Sequence, residues 1–164
     1  MINSLSLNHI IIQSHHHPIV PITKSPNQNI NMSTIFSKIV SGEIEAYKVA
    51  ESIDFLAFLD VSPLAEGHTL VIPKKEVDYL FDLEDELYNG LMIFTKIVAE
   101  GVKQAIPCKK VGVAVIGLEV PHAHIHLIPM NEVNDMNFSR PKLSFSKEEM
   151  EETAEKIKEA LRKD

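Results

Sequence analysis

The chain has 164 residues, a formal net charge of −7 and a single cysteine, Cys108. This length suits one domain with a substantial core, and a 45% share of apolar residues favours a folded globular chain over a disordered one. One cysteine excludes an intrachain disulfide and a cysteine-rich zinc site, and the sequence shows no basic stretch of the kind that binds a nucleic-acid backbone.

Residues 1–31 differ in composition from the rest of the chain. They contain no acidic residue and one basic residue, Lys24, and their longest apolar run covers residues 10–12. That run is too short for a membrane span or for the apolar part of a signal peptide. We expect residues 1–31 to be a disordered extension, or the result of a start codon assigned upstream of Met32. We expect residues 32–164 to form a single domain.

From residue 32 onward, the apolar residues follow helical spacing and then strand spacing. Residues 35–40 are typical of a short amphipathic helix, which ends at Gly42. Three strands follow, bounded by turn residues, at residues 47–50, 55–59 and 69–72.

The next element is the longest helical pattern in the chain. Apolar residues recur at steps of three or four over residues 83–105, which places them on one face of a helix. The acidic residues 84–86 suit the positive end of the helix dipole, and Pro107 ends the pattern.

Two strands and a final helix complete the prediction. Residues 111–116 and 122–128 have strand composition, residues 117–121 form a turn between them, and a hairpin is the simplest pairing. Ser146 and Glu149 have the spacing of a capping box at the start of the last helix. The outline is an α+β fold with about five strands and two main helices.

The most informative feature is an alternation of histidines with apolar residues. His122, His124 and His126 would share one face of a strand. A rise of roughly 3.3 Å per residue separates neighbouring histidines by about 6.6 Å. The opposite face of the same strand would point into a core and carries Ala123, Ile125 and Leu127.

Such a row of imidazoles has several possible uses. It can bind a metal ion with His68 as a further ligand, although a row that spans about 13 Å cannot place all three histidines on one ion. It can also supply a nucleophile: one ring nitrogen of His124 attacks phosphorus while the other is held by a hydrogen-bond acceptor. A third possibility is a buried row without chemistry, which needs a partner for every imidazole.

The histidine pattern resembles the signature of the histidine triad family of nucleotide-binding hydrolases and transferases. Residues 122–128 match every position of that signature. Three upstream segments are similar to the opening and second blocks of the family, in the same order, at residues 35–44, 58–63 and 67–74. The resemblance covers residues 34–130.

The resemblance implies a five-stranded antiparallel sheet with two main helices, and a homodimer that joins two sheets into one of ten strands. It also implies a cytoplasmic enzyme that releases a nucleoside 5′-monophosphate, expected to be AMP, through a nucleotidyl-histidine intermediate. The expected substrate is a purine phosphoramidate or dinucleoside polyphosphate, with no cofactor, no metal, no nucleic acid and no membrane involved. The alternative is a purine-nucleotide-binding regulatory module without turnover.

The resemblance also assigns roles to residues of this sequence. His124 is the expected nucleophile, His126 lies near the α-phosphate and His122 orients His124, while His68 completes the cluster. Asp60 is expected to accept hydrogen bonds from the ribose hydroxyls, although an aspartate before Ser-Pro also suits a turn. Four residues are expected to form an apolar slot for the base: Phe36, Ile39, Phe58 and Leu59. The alternative is that they are ordinary core residues.

The segment before the histidines departs from the family pattern. The usual asparagine is absent, Leu118 replaces a glutamine, and Glu119 stands where a serine or threonine often contacts the phosphate. A carboxylate at that place repels a phosphate unless it turns away, is protonated or binds a cation. The resemblance implies that Glu119 lines the nucleotide site. Its negative charge there is expected to favour an amine-bearing, cationic leaving group.

A second departure concerns zinc. Some relatives carry a Cys-x-x-Cys motif that contributes to a zinc site with histidines of the triad region. The matching positions here are Thr34 and Ser37, so we expect no structural zinc.

Overall fold

A computed structural model describes residues 33–162, so the expectation for residues 1–31 lies outside the described residues. The described part confirms the α+β prediction, with three α-helices and a five-stranded antiparallel sheet. The helices are α1 (Ile35–Ser41), α2 (Asp85–Ala105) and α3 (Lys147–Leu161). The strands are β1 (Lys48–Glu51), β2 (Phe55–Leu59), β3 (Thr69–Pro73), β4 (Lys110–Ala114) and β5 (Ile125–Met130).

The strand order is β1-β2-β3-β5-β4, and every neighbouring pair is antiparallel. The predicted pairing of the last two strands is confirmed, and β5 lies between β3 and β4. Since β4 pairs on one side only, it forms an edge of the sheet. No helix of the described residues has the length and apolar content needed to cross a membrane.

The two faces of the sheet carry different helices. One face packs against α2 and α3 and contains the larger core, with Ala57, Val71 and Ile125 among its buried residues. The other face packs against α1 through Leu56 and Leu70. Alternation along each strand assigns neighbouring residues to opposite faces, which explains why β2 and β3 are buried throughout.

Helix α1 has a well-defined start and end. The Thr34 hydroxyl accepts a hydrogen bond from the Ser37 N–H at 3.0 Å, which caps the first turn. Gly42 ends the helix, as predicted, with a left-handed backbone at φ 81°. The Thr34 hydroxyl also lies 3.0 Å from His122 Nδ1, which places the first turn of α1 beside the segment that precedes β5.

The predicted strand at residues 122–128 needs a correction, because β5 begins only at Ile125. The ladder with β3 stops at the Val71–Ile125 pair. Pro73 has no N–H to extend it, and its carbonyl accepts a hydrogen bond from the His122 ring instead. His122 therefore lies in a bend, and of the three histidines only His126 belongs to the strand.

Candidate active site

Side chains of residues 122–127 alternate between the two faces of the sheet, although β5 begins only at Ile125. Ala123, Ile125 and Leu127 are buried in the core that faces α2 and α3. His126 is paired with Leu70, whose side chain faces α1. The rings of His124 and His126 have centroids 4.9 Å apart, so the histidines form a contiguous cluster on the α1 side of the sheet.

His124 is held through one nitrogen of its ring. Its Nδ1 lies 2.6 Å from the carbonyl oxygen of His122, so Nδ1 carries the proton and donates it in a hydrogen bond. Nε2 has no hydrogen-bond partner among residues 33–162, and this atom is not fully buried. With the proton on Nδ1, Nε2 presents an accessible lone pair.

A hydrogen-bonded pair of histidines flanks His124. The Leu64 N–H donates to His68 Nδ1 at 3.1 Å, which places the proton of the neutral His68 ring on Nε2. His68 Nε2 then donates to His126 Nδ1 at 3.0 Å. The remaining proton of His126 must lie on Nε2, so His126 presents a hydrogen-bond donor next to the lone pair of His124.

Burial keeps these flanking rings neutral. Loss of hydration is the largest cause that lowers the pKa of His126 to about 3, and proximity to His68, His124 and Lys142 contributes in the same direction. Burial also lowers the pKa of His68 to about 4, although the nearby Asp60 carboxylate acts in the opposite direction. Both rings are therefore uncharged near neutral pH, as the directions of their hydrogen bonds require.

His122 is fully buried and bonded at both ring nitrogens. Its Nε2 donates to the Pro73 carbonyl at 2.8 Å, and its Nδ1 lies 3.0 Å from the Thr34 hydroxyl and 3.5 Å from the Ser37 hydroxyl. Burial lowers the pKa of His122 as well. His122 thus orients His124 through its own backbone carbonyl.

The structure offers poor ligands at the zinc position discussed above. Thr34 and Ser37 present neutral hydroxyl oxygens to His122, whereas structural zinc sites use thiolates and imidazoles. These two residues do not fit a zinc ion.

A second group of possible metal ligands comprises Asp60, His68 and His126, whose ligand atoms lie within 4.8 Å of one another. Both ring nitrogens of His68 already take part in hydrogen bonds, to Leu64 and to His126. A metal ion would have to break one of these bonds. The arrangement can hold a metal only at the expense of one of the two hydrogen bonds of His68.

Asp60 forms the turn considered for it, and its carboxylate also faces the histidine cluster. Its Oδ1 accepts a hydrogen bond from the Ser62 N–H at 2.8 Å, which is the turn expected before Pro63. Its Oδ2 lies 3.6 Å from His68 Nδ1, so the carboxylate also faces the histidine cluster. The side chain is 18% exposed and remains within reach of a ligand in solution.

The four residues expected to form an apolar slot divide between the two faces of the sheet. Phe36, Ile39 and Phe58 pack together on the α1 side, and the rings of Phe36 and His124 pack in a T-shaped arrangement with their centroids 5.2 Å apart. Leu59 does not join them, because it follows Phe58 in β2 and points into the core on the opposite face. Glu119 is exposed in the bend before His122, and its neighbour Leu118 is 89% exposed.

Sequence reasoning missed two residues that lie against the cluster. The ring centroids of Phe138 and His126 lie 5.0 Å apart, and Lys142 Nζ lies 5.1 Å from the centroid of the Phe138 ring. Their segment is held in place by the Leu143 N–H, which donates to the Pro63 carbonyl at 2.8 Å. The only sequence signal was Phe138 itself, one of two phenylalanines in a polar stretch, which is weak evidence for a site.

Comparison with known proteins places this geometry in a family. Residues 41–133 match the HIT domain. The chain is 33% identical over 133 residues to an adenosine 5′-monophosphoramidase of Schizosaccharomyces pombe, with 80% of this chain and 100% of that protein covered.

Two solved structures have the same fold. A hypothetical histidine triad nucleotide-binding protein of Sulfolobus tokodaii has a TM-score of 0.68 and 30% identity, with 78% of this chain and 91% of that chain covered. A zinc-bound histidine triad family protein of Mycobacterium smegmatis has a TM-score of 0.67 and 28% identity, with 80% and 95% covered. Together with the HIT match, these likenesses show that the chain belongs to the histidine triad (HIT) family.

Proposed function

We propose that the protein is a hydrolase that releases AMP from a phosphoramidate or a dinucleoside polyphosphate through a nucleotidyl intermediate on His124. The observation that carries the proposal is the orientation of His124, whose Nδ1–H is fixed on the His122 carbonyl and whose Nε2 is open. The Schizosaccharomyces pombe relative, which is an adenosine 5′-monophosphoramidase, supports the choice of adenosine and of a P–N bond.

The first chemical step is an in-line displacement at the α-phosphorus. The Nε2 lone pair of His124 forms a bond to phosphorus, and the P–N or P–O bond to the leaving group breaks with its electron pair. The Nδ1–H bond to the His122 carbonyl stabilises the positive charge that develops on the ring. The Nε2–H of His126 donates to an α-phosphate oxygen, and a departing amine takes its proton from solvent.

The second step returns the enzyme to its starting state. The oxygen of a water molecule binds phosphorus, the P–Nε2 bond breaks and AMP leaves. The electron pair of that bond returns to His124 Nε2, and the water gives one proton to solvent. Residues beside the histidines hold the nucleotide in both steps. The Asp60 carboxylate binds the ribose hydroxyls, and the apolar side chains of Phe36, Ile39 and Phe58 contact the base.

Wild-type protein mixed with an adenosine 5′-phosphoramidate is expected to release AMP and to carry a transient adenylyl adduct after a rapid quench. The readouts are chromatography of AMP and mass spectrometry of the intact chain, repeated with a diadenosine polyphosphate. Binding without adduct or AMP would instead identify a regulatory module. Loss of activity with a chelator would identify a metal hydrolase.

We propose that Glu119 influences which leaving group the enzyme accepts. Its exposed carboxylate lies in the bend before His122, where it attracts a cationic amine and repels the extra phosphates of a polyphosphate. Glu119→Gln is expected to lower kcat/KM for a lysine-like phosphoramidate about threefold to tenfold relative to a neutral alkyl phosphoramidate, an effect of about 1 kcal/mol. An unchanged ratio of the two kcat/KM values would contradict this role.

We also propose that two copies of the chain join through the β4 edges, as the family resemblance implies. Strand β4 has an unpaired edge, and apolar side chains are exposed on β4 and on α2 beside it, with Val113 52% and Ile97 50% exposed. Sedimentation is expected to give a dimer for the wild type and a monomer for Ile97→Glu. Ile53→Glu, at a residue 91% exposed before β2, should remain dimeric; a wild-type monomer would contradict the proposal.

A further inference from the structure

The first turn of α1 is connected to the histidine cluster by a chain of hydrogen bonds that ends at Glu76. The Oε2 atom of Glu76 accepts from the Thr34 N–H at 3.2 Å and from the Ser37 hydroxyl. The Thr34 hydroxyl accepts from the Ser37 N–H and lies 3.0 Å from His122 Nδ1. These bonds join residues that are 39, 42 and 88 positions apart in sequence.

The bonding partners determine which atom donates and which accepts in each hydrogen bond of this chain. The Pro73 carbonyl can only accept, so His122 Nε2 carries the proton. Because the ring is buried and neutral, Nδ1 must accept, and the Thr34 hydroxyl is its donor. A carboxylate can only accept as well, so the Ser37 hydroxyl donates to Glu76. Loss of the carboxylate would free the Ser37 and Thr34 hydroxyls to reorient.

This chain matters because the sheet does not hold His122. Strand β5 begins at Ile125, and the bend before it is fixed by two backbone bonds, from His122 N–H to the Val120 carbonyl and from Ala123 N–H to the Val77 carbonyl. The His122 carbonyl, which orients His124, is therefore placed by those bonds and by the two ring bonds of His122.

We infer that Glu76 is a positioning residue that, through Ser37 and Thr34, locks the His122 ring and so aims the carbonyl that orients His124. The inference rests on the proposed function for its kinetic consequence only. Glu76 is exposed, and its hydrogen bonds go to Thr34 and Ser37, which connect it to the His122 ring.

The kinetic test compares Glu76→Ala and Ser37→Ala with matched controls. Both variants are expected to lower kcat for AMP release about 10- to 100-fold, the range for a displaced reacting group, with KM unchanged. Glu76→Gln should keep most of the wild-type kcat, because its amide oxygen still accepts both bonds. The controls are Glu43→Ala and Ser41→Ala, which remove exposed side chains at the other end of α1 and should leave kcat unchanged.

A spectroscopic test reads the position of the rings without turnover. The imidazole ¹⁵N resonances of the wild type are expected to show the Nδ1–H tautomer for His124 and the Nε2–H tautomer for His122. In Glu76→Ala, His124 should shift toward a mixture of tautomers, while circular dichroism confirms the fold. Wild-type tautomers and wild-type kcat in Glu76→Ala would overturn the inference. If the wild type proves inactive, the proposed function fails, and the tautomers alone decide the positioning role.

Discussion

Replacing His124 with alanine is expected to lower kcat for AMP release by on the order of 10⁴-fold or more, the loss seen when a covalent nucleophile is removed from an enzyme. No other described residue can substitute, because the neighbouring rings have their acceptor nitrogens occupied: His126 Nδ1 by His68, and His122 Nδ1 by Thr34. Among these three histidines only His124 presents a free lone pair. The adenylyl adduct found with the wild type should be absent from His124→Ala.

Two controls separate loss of the nucleophile from loss of structure. His124→Ala should remain folded at the assay temperature by circular dichroism, although its thermal midpoint should fall, because the side chain is only 6% exposed and packs against the rings of Phe36 and His126. His124→Gly with added imidazole should recover part of the activity, since free imidazole can occupy the vacated space. A His124→Ala variant that still forms an acid-labile, alkali-stable adduct would place the nucleophile elsewhere.

The sequence predicted those features of the site that depend on local periodicity. The alternation of histidines with Ala123, Ile125 and Leu127 correctly separated the cluster from the core, because side-chain direction follows the extended backbone even outside a regular strand. The same periodicity argues against placing Phe58 and Leu59 in one slot, since adjacent strand residues face opposite ways.

Features that depend on distant partners could not be predicted. The carbonyl of Pro73 meets His122 across 49 residues, and this contact explains why β5 starts late. Phe138 reaches His126 only because a polar segment returns over the loop near Pro63. Glu76 accepts hydrogen bonds from Thr34 and Ser37 at the start of α1, although these residues are 42 and 39 positions away in sequence. None of these contacts follows from spacing, because each one requires the topology first.

The free energy of unfolding is expected to fall by about 4 kcal/mol between pH 7 and pH 5 because His68 and His126 are buried as neutral rings. Their pKa values are about 4 and about 3 in the folded protein, against 6.5 for an ordinary histidine. Between those values the unfolded chain binds more protons than the folded one, so stability decreases with falling pH. Each ring contributes up to about 1.4 kcal/mol per pH unit in that window.

Urea unfolding at pH 7, 6 and 5 measures this effect above the range in which carboxylates titrate. A His68→Asn/His126→Asn double variant should be less stable at pH 7 but should lose less stability toward pH 5, and the histidines outside residues 33–162 are common to both proteins. Equal slopes in the two proteins would refute the neutral pair. The expected acid sensitivity is a consequence of the chemistry: a protonated His126 could no longer accept the His68 proton through Nδ1, and the donor at its Nε2 would lose its fixed direction.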